Sequence, residues 1–299
     1  MEYLLLQAMN GLVVGMIYAL AAAGLTVIFS ILKIVNFAHG ELYMMGAYTA
    51  YYAIRLLHLP PALAVLVAMA AMFGLGVLYE RLFLTPLYTG AVERKDEYAL
   101  IVTFGLALLL QNLAIVAFGP FSRRPPSFLP GAWHWGLLTL TYDRLIAVAM
   151  AAGFLLALVA FLRYTAWGHA LDAVSQSRES AAIVGINPHR LYTLAFGVGA
   201  ALAGAAGALI APIFSISPTM GVLPAVKSFI IVVLGGMGSV AGSILGGLLI
   251  GVGEGLGVGL FPDPGRALAY SNAFGVLILA MTLLIRPTGL LGREHVRME

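Results

Sequence analysis

Residues 4–29 read LLLQAMNGLVVGMIYALAAAGLTVIF, a stretch without a single charged side chain. An α-helix crosses the apolar core of a bilayer with about 20 predominantly apolar residues, so this stretch is long enough to span a membrane. It begins almost at the first residue, with no basic segment before it, and it is longer than the apolar core of a signal peptide. We interpret it as a retained transmembrane helix.

The composition extends this interpretation to the whole chain. Of its 299 residues, 61% are hydrophobic and only 10% are charged. A soluble domain needs more charge than that to cover its surface, so most of the apolar surface is expected to face lipid. Cysteine is absent, which excludes disulfides, a thiolate nucleophile and a cysteine-ligated metal. We predict a single membrane domain over residues 1–299.

Eight apolar runs are candidate membrane spans. They are Leu4–Phe29, Phe37–Leu57, Ala62–Leu84, Tyr98–Phe118, Leu145–Phe161, Leu191–Ile213, Ile244–Leu260 and Ala273–Ile285. A shorter run, Ala225–Leu234, lies between Pro224 and Gly235 and is too short to cross alone. We predict a half-helix or re-entrant segment there, packed inside the bundle, because irregular backbone at membrane depth must be covered by protein. The predicted fold is all-α, a polytopic bundle of about eight transmembrane helices plus one half-helix.

The basic residues predict the orientation of the chain. If the loop 165–190 lies in the cytoplasm, 10 basic residues are inside and 6 are outside. This excess on the inside agrees with the positive-inside rule. The inner set is Lys33, Arg81, Arg94, Lys95, Arg163, Arg178, Arg190, Arg286, Arg293 and Arg297. The outer set is Arg55, Arg123, Arg124, Arg144, Lys227 and Arg266. We therefore expect an outside N-terminus and a cytoplasmic C-terminus.

Two loops are long enough to contact other proteins. The outer loop, 119–143, is rich in Pro and aromatic residues; it is either a surface loop with interface anchors or part of a docking face for an extracytoplasmic partner. The inner loop, 165–190, contains a predicted short helix at Leu171–Val184, ended by Gly185 and Pro188. It is either a solvated connector or a segment that a peripheral partner grips.

Small residues recur every four positions in several predicted spans. In the seventh span this series includes Gly247, Gly251 and Gly255. Residues four apart share one face of a helix, so the series forms a smooth stripe on which another backbone can approach closely. We predict that the stripe packs against another helix or lines a subunit interface or the translocation path.

Motifs for catalysis or nucleotide binding are absent from the sequence. It contains no G-x-x-x-x-G-K-[ST], no H-E-x-x-H and no G-x-S-x-G, which disfavours an enzyme, including an intramembrane one. Polar groups at membrane depth remain as candidates, because they are costly there and mark a pathway or a paired structural contact. Asn36, His39 and Glu41 either line a gate or begin a helix with hydrogen bonds. Glu254 either lines the path or pairs with Arg266.

Four motifs in this order resemble the permease subunits of branched-chain amino-acid ABC importers, the LivH type. They are Gly24–Thr26 leading to Asn36–Glu41, Val233–Gly238 followed by Gly242 and Leu245–Gly247, Glu254, and Arg286–Gly292. The resemblance runs over essentially the whole length. The inner loop is similar to the ABC-permease signature E-A-A-x-x-x-G, with Ser180 in place of the first Ala and without the downstream I-x-L-P part.

The resemblance implies a multi-pass permease of a bacterial or archaeal cytoplasmic membrane. Such a permease has no cofactor or nucleotide site of its own and works by alternating access. The implied partners are an extracytoplasmic binding protein, a homologous sister permease or a second copy, two cytoplasmic ATPase subunits and membrane lipid, with no nucleic acid or metal. The residues implied in coupling to the ATPase are Arg178, Glu179, Ser180, Ala181 and Gly185.

The substrate stays open at this stage. Family members often carry Tyr-Lys-Asp where this chain has Tyr270-Ser271-Asn272. The resemblance implies branched-chain amino acids or related small polar substrates, and related permeases handle urea, short amides or other acids. An ATP-independent secondary transporter or channel is a further alternative, and it would depend on ion-coordinating groups inside the membrane.

Overall fold

A computed structural model of the chain describes residues 2–90, 92–135, 138–261 and 264–292. Its helices are α1 Glu2–Leu32, α2 His39–Leu57, α3 Pro61–Tyr79, α4 Lys95–Phe118, α5 Tyr142–Tyr164, α6 Ala166–Gln176, α7 Arg178–Ile183, α8 Pro188–Ile210, α9 Val222–Gly235, α10 Val240–Leu260 and α11 Pro264–Ile285. A π-helical turn, Glu80–Leu84, and a 3-10 turn, Thr85–Leu87, follow α3. Arg293 and Arg297, which entered the predicted orientation, lie outside the described residues.

Within these ranges six helices are long and apolar enough to cross a membrane: α1, α3, α4, α5, α8 and α10. This confirms the predicted polytopic membrane bundle. α2 has 19 residues and carries Glu41 and Arg55, and the apolar part of α11 is the shorter segment Tyr270–Ile285. α9 has 14 residues, so it is about 21 Å long, less than the roughly 30 Å of a bilayer core.

α1 and α8 form the centre of the bundle. In their most apolar windows 72% and 83% of the residues are buried within the chain, against 28% in α4 and 22% in α5. The central helices are rich in Gly and Ala, which let several neighbours approach at once. α4 and α5 present large exposed apolar side chains, such as Ile101, Phe104 and Leu156. We therefore expect these two helices to form lipid-facing sides of the bundle.

The stripe of small residues on α10 packs against α1 within the same chain. A Cβ atom at Gly247 would lie 2.6 Å from Cα of Ala19. Gly251 contacts the backbone of Gly11 and Gly15, so the two helices cross at backbone distance. The register is antiparallel, and this is the most extensive helix–helix contact in the bundle. The predicted helix packing is found here; the alternative that this face meets another subunit or the path is wrong, because α1 covers it.

Two halves of the bundle repeat the same packing scheme. α1 packs against α10, and α8 packs in the corresponding way against α3. The two central helices meet through matching glycines: a Cβ at Gly24 would lie 2.6 Å from the carbonyl oxygen of Gly199, and a Cβ at Gly199 would lie 2.6 Å from that of Gly24. α1 with α10 and α8 with α3 are therefore corresponding helix pairs on either side of this central contact.

Several local predictions differ from the structure. β1 Ala132–Trp135 and β2 Leu138–Thr141 form an antiparallel hairpin in the outer loop, where we expected no regular structure. The inner loop holds two short helices instead of one, because Ser177 ends α6 in an extended conformation and its Oγ caps α7 by accepting from Ser180 N at 3.2 Å. α8 begins three residues earlier than predicted, since Asn187 caps it and Pro188 suits its first turn.

Replacing Gly251 with Leu tests the contact between α1 and α10. The side chain would enter the backbone of α1, so we expect a destabilisation of about 1–3 kcal/mol or more and a reduced yield of folded chain in detergent. Gly153→Leu is the matched control, because a Cβ at Gly153 on α5 has no atom within 4 Å. The yield is measured by size-exclusion chromatography with a fluorescent fusion. Equal, wild-type yields for both variants would contradict the packing described here.

Candidate translocation site

Two non-helical segments enter the bundle from opposite ends. Residues 33–38 connect α1 to α2, and residues 211–221 connect α8 to α9. His39, the first residue of α2, donates a hydrogen bond from Nε2 to the carbonyl oxygen of Ala21 at 2.8 Å. Ala21 lies about 16 Å along α1 from its C-terminal end at Leu32. α2 therefore begins about halfway across the membrane.

The first turn of α9 meets the first turn of α2 at this depth. A Cβ at Gly40 would lie 2.7 Å from Cβ of Ala225, and a Cβ at Gly221 would lie 3.1 Å from the amide nitrogen of Glu41. Only glycine allows this approach, since either side chain would enter the other segment. Both helix starts thus lie together inside the bundle, the arrangement that discontinuous helices give to binding sites in transporters.

The polar residues predicted for the path surround the start of α2 and are buried within the chain. Asn36 is fully buried, and its Oδ1 accepts a hydrogen bond from Ala38 N at 3.1 Å. His39 and Glu41 are buried as well. Among the described residues, Asn36 Nδ2, His39 Nδ1, Glu41 Oε2 and Ser228 Oγ have no hydrogen-bond partner. Unpartnered buried polar atoms are few in folded proteins, so this group retains capacity for a polar ligand or a partner chain.

Several apolar side chains around these two helix starts reach the surface, and no sequence pattern distinguished them. We call them the crossing face: Val35, Phe37, Val222, Leu223 and Val226, which are 38–56% exposed. The ring of Phe37 lies 5.7 Å from the ring of Phe229 on α9. Irregular backbone at membrane depth is tolerated only where protein covers it or where it lines a water-filled cavity. We therefore expect protein or a water-filled cavity, and not lipid, to lie against the crossing face.

Glu254 forms a buried ion pair with Lys227. Lys227 Nζ donates to Glu254 Oε1, and the two side chains are only 4% and 12% exposed. A Cβ at Gly275 would lie 3.2 Å from Lys227 Nζ, so α11 contributes the space for the pair. The expectation that Arg266 is the partner of Glu254 is wrong, because Lys227 occupies that place. Lys227, which we counted among the basic residues on the outer side, lies buried in the bundle. A lone lysine in the apolar run of the half-helix was the signal that could have revealed the pair.

The inner loop presents an exposed apolar end. Ala181 is buried against the bundle, whereas Arg178, Glu179 and Ser180 are exposed. Gly185 adopts a φ of +87°, the left-handed conformation that glycine favours, and so provides the predicted turn after the helix. Before this turn, Ile183 and Val184 are 85% and 74% exposed. Exposed large apolar side chains on a helical loop are typical of a protein–protein contact.

The outer loop is held to the bundle at two points. Asp143 Oδ1 accepts a hydrogen bond from Phe128 N at 2.6 Å. Arg123 pairs through its backbone with Ile216, at 2.8 and 2.9 Å, and its guanidinium lies over the Tyr51 and Tyr52 rings. The outer loop is therefore hydrogen-bonded to the non-helical segment 211–221. This contact puts the loop at the predicted outer end of the candidate path.

Comparisons with known proteins agree with this arrangement. The family model described as the permease component of branched-chain amino acid transport systems matches residues 7–285. The high-affinity branched-chain amino acid transport system permease protein BraD of Pseudomonas aeruginosa is 35% identical, over 97% of this chain and 96% of that protein. LivH of Escherichia coli K12, whose description is otherwise the same, is 32% identical over 98% and 97%.

A second Escherichia coli protein of this type also matches. It is the high-affinity branched-chain amino acid transport system permease protein LivM, which is 30% identical over 75% of this chain and 57% of its own length. Two different proteins of one organism therefore share this sequence pattern. The search of solved structures gave no significant match.

The buried ion pair is tested by removing one or both of its charges. Glu254→Gln or Lys227→Met leaves the other charge buried and alone, which we expect to cost about 3–5 kcal/mol and to reduce the folded yield. The double variant Lys227→Met with Glu254→Leu removes both charges and should recover much of that yield. Thermal unfolding in detergent gives the comparison. A normal yield for Glu254→Gln combined with altered uptake would indicate a role in the path instead of a structural pair.

Proposed function

Because the chain belongs to the family of permease components of branched-chain amino acid transport systems and is a multi-pass protein of the cytoplasmic membrane, we propose that it is the membrane-spanning subunit of an ABC importer. Separate ATPase subunits drive its conformational change, and the substrate crosses by alternating access. The chain acts as a transporter subunit and not as an enzyme. ATP affects transport only by favouring one conformation of the assembly.

The observation that carries the proposal is the exposed apolar end of the inner loop. α6 and α7 lie on the predicted cytoplasmic side, where Ile183 and Val184 are exposed beside the charged Arg178 and Glu179. A peripheral protein that receives this end in a groove would bury both apolar side chains. The buried Ala181 holds the segment against the bundle, and the turn at Gly185 leads the chain into α8. A movement of the loop is therefore passed to a central helix.

The translocation path in this proposal runs along the crossing face. A second permease subunit placed opposite it would cover the irregular backbone at 33–38 and 211–221 and leave a path between the subunits. The buried polar group of Asn36, His39, Glu41 and Ser228 lies behind this face. This group stabilises the start of α2, and it offers polar atoms to the substrate when the segments 33–38 and 211–221 move. Glu254, paired with Lys227, holds α9 against α10.

The apolar character of the crossing face supports branched-chain amino acids over urea or short amides as the substrate. Val35, Phe37 and Val226 offer contacts to an aliphatic side chain and few hydrogen-bond partners to a small amide. The relatives BraD, LivH and LivM carry branched-chain amino acid transport in their names. Related small polar substrates of the same family remain the competing assignment, and ligand screening of the cognate binding protein separates the two.

The proposed assembly contains a sister permease, two ATPase subunits and an extracytoplasmic binding protein. The similarity to both LivH and LivM of one organism supports a homologous sister rather than a second copy as the other permease. The outer loop, connected to the segment 211–221 by the Arg123–Ile216 pairing, supports docking of the binding protein at the outer end of the path. An ATP-independent transporter is less well supported, because Glu254, one of the two carboxylates considered at membrane depth, is already neutralised by Lys227.

Substitution of the exposed apolar pair tests the coupling to the ATPase. Ile183→Asp with Val184→Asp should weaken binding of the ATPase by about 2 kcal/mol, roughly thirtyfold, and uptake should fall with it. Folding should be unaffected, because both side chains are exposed. Co-purification of the subunits and uptake into proteoliposomes are measured together.

Thr89→Asp is the matched control, since Thr89 is exposed beside the start of α8 and lies outside the inner loop. Wild-type uptake with full association of the ATPase in the double variant would refute the role of the inner loop. A fall in uptake without loss of association would assign the pair to a later step of the cycle.

A further inference from the structure

A cavity of about 580 Å³ opens at the predicted cytoplasmic end of the bundle. It lies between the C-terminal ends of α1 and α5, the side of α6, and the turn that joins α9 to α10. A neighbouring cavity of about 370 Å³ shares half of this lining, including Ser30, Leu162 and Arg163. None of the functions proposed above uses this space.

The polar side of the cavity is basic overall. Lys33 and Arg163 face it together with Asp172, and His169 lines the adjoining part. Asp172 accepts a hydrogen bond from Gln176 Nε2 at 3.0 Å, so its carboxylate is partly engaged. Within the described ranges neither Lys33 nor Arg163 has a carboxylate at ion-pair distance. The cavity therefore holds two cations that are available to an anion.

Lys33 lines the cavity and has a backbone conformation that is unfavourable for a lysine. Its φ is +56°, in the left-handed region where glycine is preferred, and its amide donates to the carbonyl of Phe29 at 3.0 Å to end α1. Glycine would serve this position better as a helix end. Residues with a strained backbone of this kind cluster at functional sites, so the Lys33 side chain is a candidate for binding a ligand.

The remaining wall of the cavity is apolar and continues onto a lipid-facing helix. Val159 and Leu162 of α5 line it, and Met237 and Leu291 close the opposite side. α5 is among the least buried spans of the bundle. Directly after Arg163, Tyr164 and Trp167 are 81% and 53% exposed. Exposed Tyr and Trp at the end of a span mark the level of the lipid headgroups.

From these features we propose that the cavity binds the phosphate headgroup of an acidic phospholipid of the inner leaflet. Lys33 and Arg163 contact the phosphate, and one acyl chain lies along Val159 and Leu162 on α5. Basic pockets between helices on the cytoplasmic side are suited to such headgroups. The bound lipid would join the end of α1 to α5 and α6, directly beside the proposed coupling loop.

The test compares lipid retention by the purified chain and by the assembled transporter, using native mass spectrometry. Dioleoyl phosphatidylglycerol is added in parallel with dioleoyl phosphatidylcholine, which has the same acyl chains and no net charge. We expect selective retention of phosphatidylglycerol. Lys33→Gly and Arg163→Gln should each lower that retention about fivefold. Lys33→Gly removes the charge and relieves the backbone, so misfolding does not explain its effect.

Arg190→Gln is the matched control, because Arg190 is an exposed basic residue on the same side of the bundle, away from the cavity. It should retain phosphatidylglycerol as the wild type does. Equal retention of the two lipids, or unchanged retention by Lys33→Gly and Arg163→Gln, would overturn the proposal. Binding of inorganic phosphate alone, without selectivity among lipids, would overturn the lipid assignment in favour of a soluble anion. Loss of ATPase association in these variants with unchanged lipid retention would make the cavity a protein contact instead.

Discussion

A polar backbone group left unpaired in the hydrocarbon core of a bilayer costs several kcal/mol. That constraint organises the two non-helical segments of this chain, residues 33–38 and 211–221. In residues 33–38, Asn36 Oδ1 accepts from Ala38 N at 3.1 Å, and the carbonyl of Ala38 accepts from Leu42 N at 3.0 Å. In residues 211–221, Ile216 exchanges two backbone hydrogen bonds with Arg123. These hydrogen bonds satisfy part of the backbone of each segment. The side that carries the crossing face still has to be covered, and this requirement is the basis of the proposed second subunit and of the proposed path between the two.

The other features of the bundle follow from bringing these segments to the middle of the membrane. The two non-helical segments can meet there only if the helices around them pack at backbone distance. The glycine contacts of α1 with α10 and of Gly40 with Gly221 provide that space. Buried hydroxyls join the same helices, as Thr26 Oγ1 and Ser243 Oγ lie 2.6 Å apart between α1 and α10. Lys227 and Glu254 cancel each other's charge between α9 and α10. The inner loop then links α5 to α8, which is a central helix of the bundle.

The sequence predicted the membrane bundle, the half-helix and the turn at Gly185, because long apolar runs and glycine positions are local signals. It did not predict the partner of Glu254, since Lys227 and Glu254 are 27 positions apart and are brought together only by the tertiary packing of α9 on α10. The hairpin at Ala132–Thr141 was missed because its strands are four residues long. The crossing face was missed for a different reason. Val35 and Phe37 look like ordinary apolar residues in a membrane protein, and only the non-helical backbone beside them makes their exposure informative. The assignments of Asn36, His39 and Glu41 to the path, and of residues 178–185 to coupling, remain predictions.

The absence of cysteine from the sequence allows the central claim, a path along the crossing face, to be tested with single introduced thiols. Phe37→Cys and Val226→Cys would be placed in the assembled transporter, with Phe104→Cys on the lipid-facing side of α4 as the control. Reaction with a charged, membrane-impermeant thiol reagent is then measured with and without ATP and binding protein. A path along the crossing face predicts that Phe37→Cys and Val226→Cys react at rates that change with ATP, whereas Phe104→Cys stays unreactive. Reaction rates for the two crossing-face thiols that equal the control in every condition would contradict it.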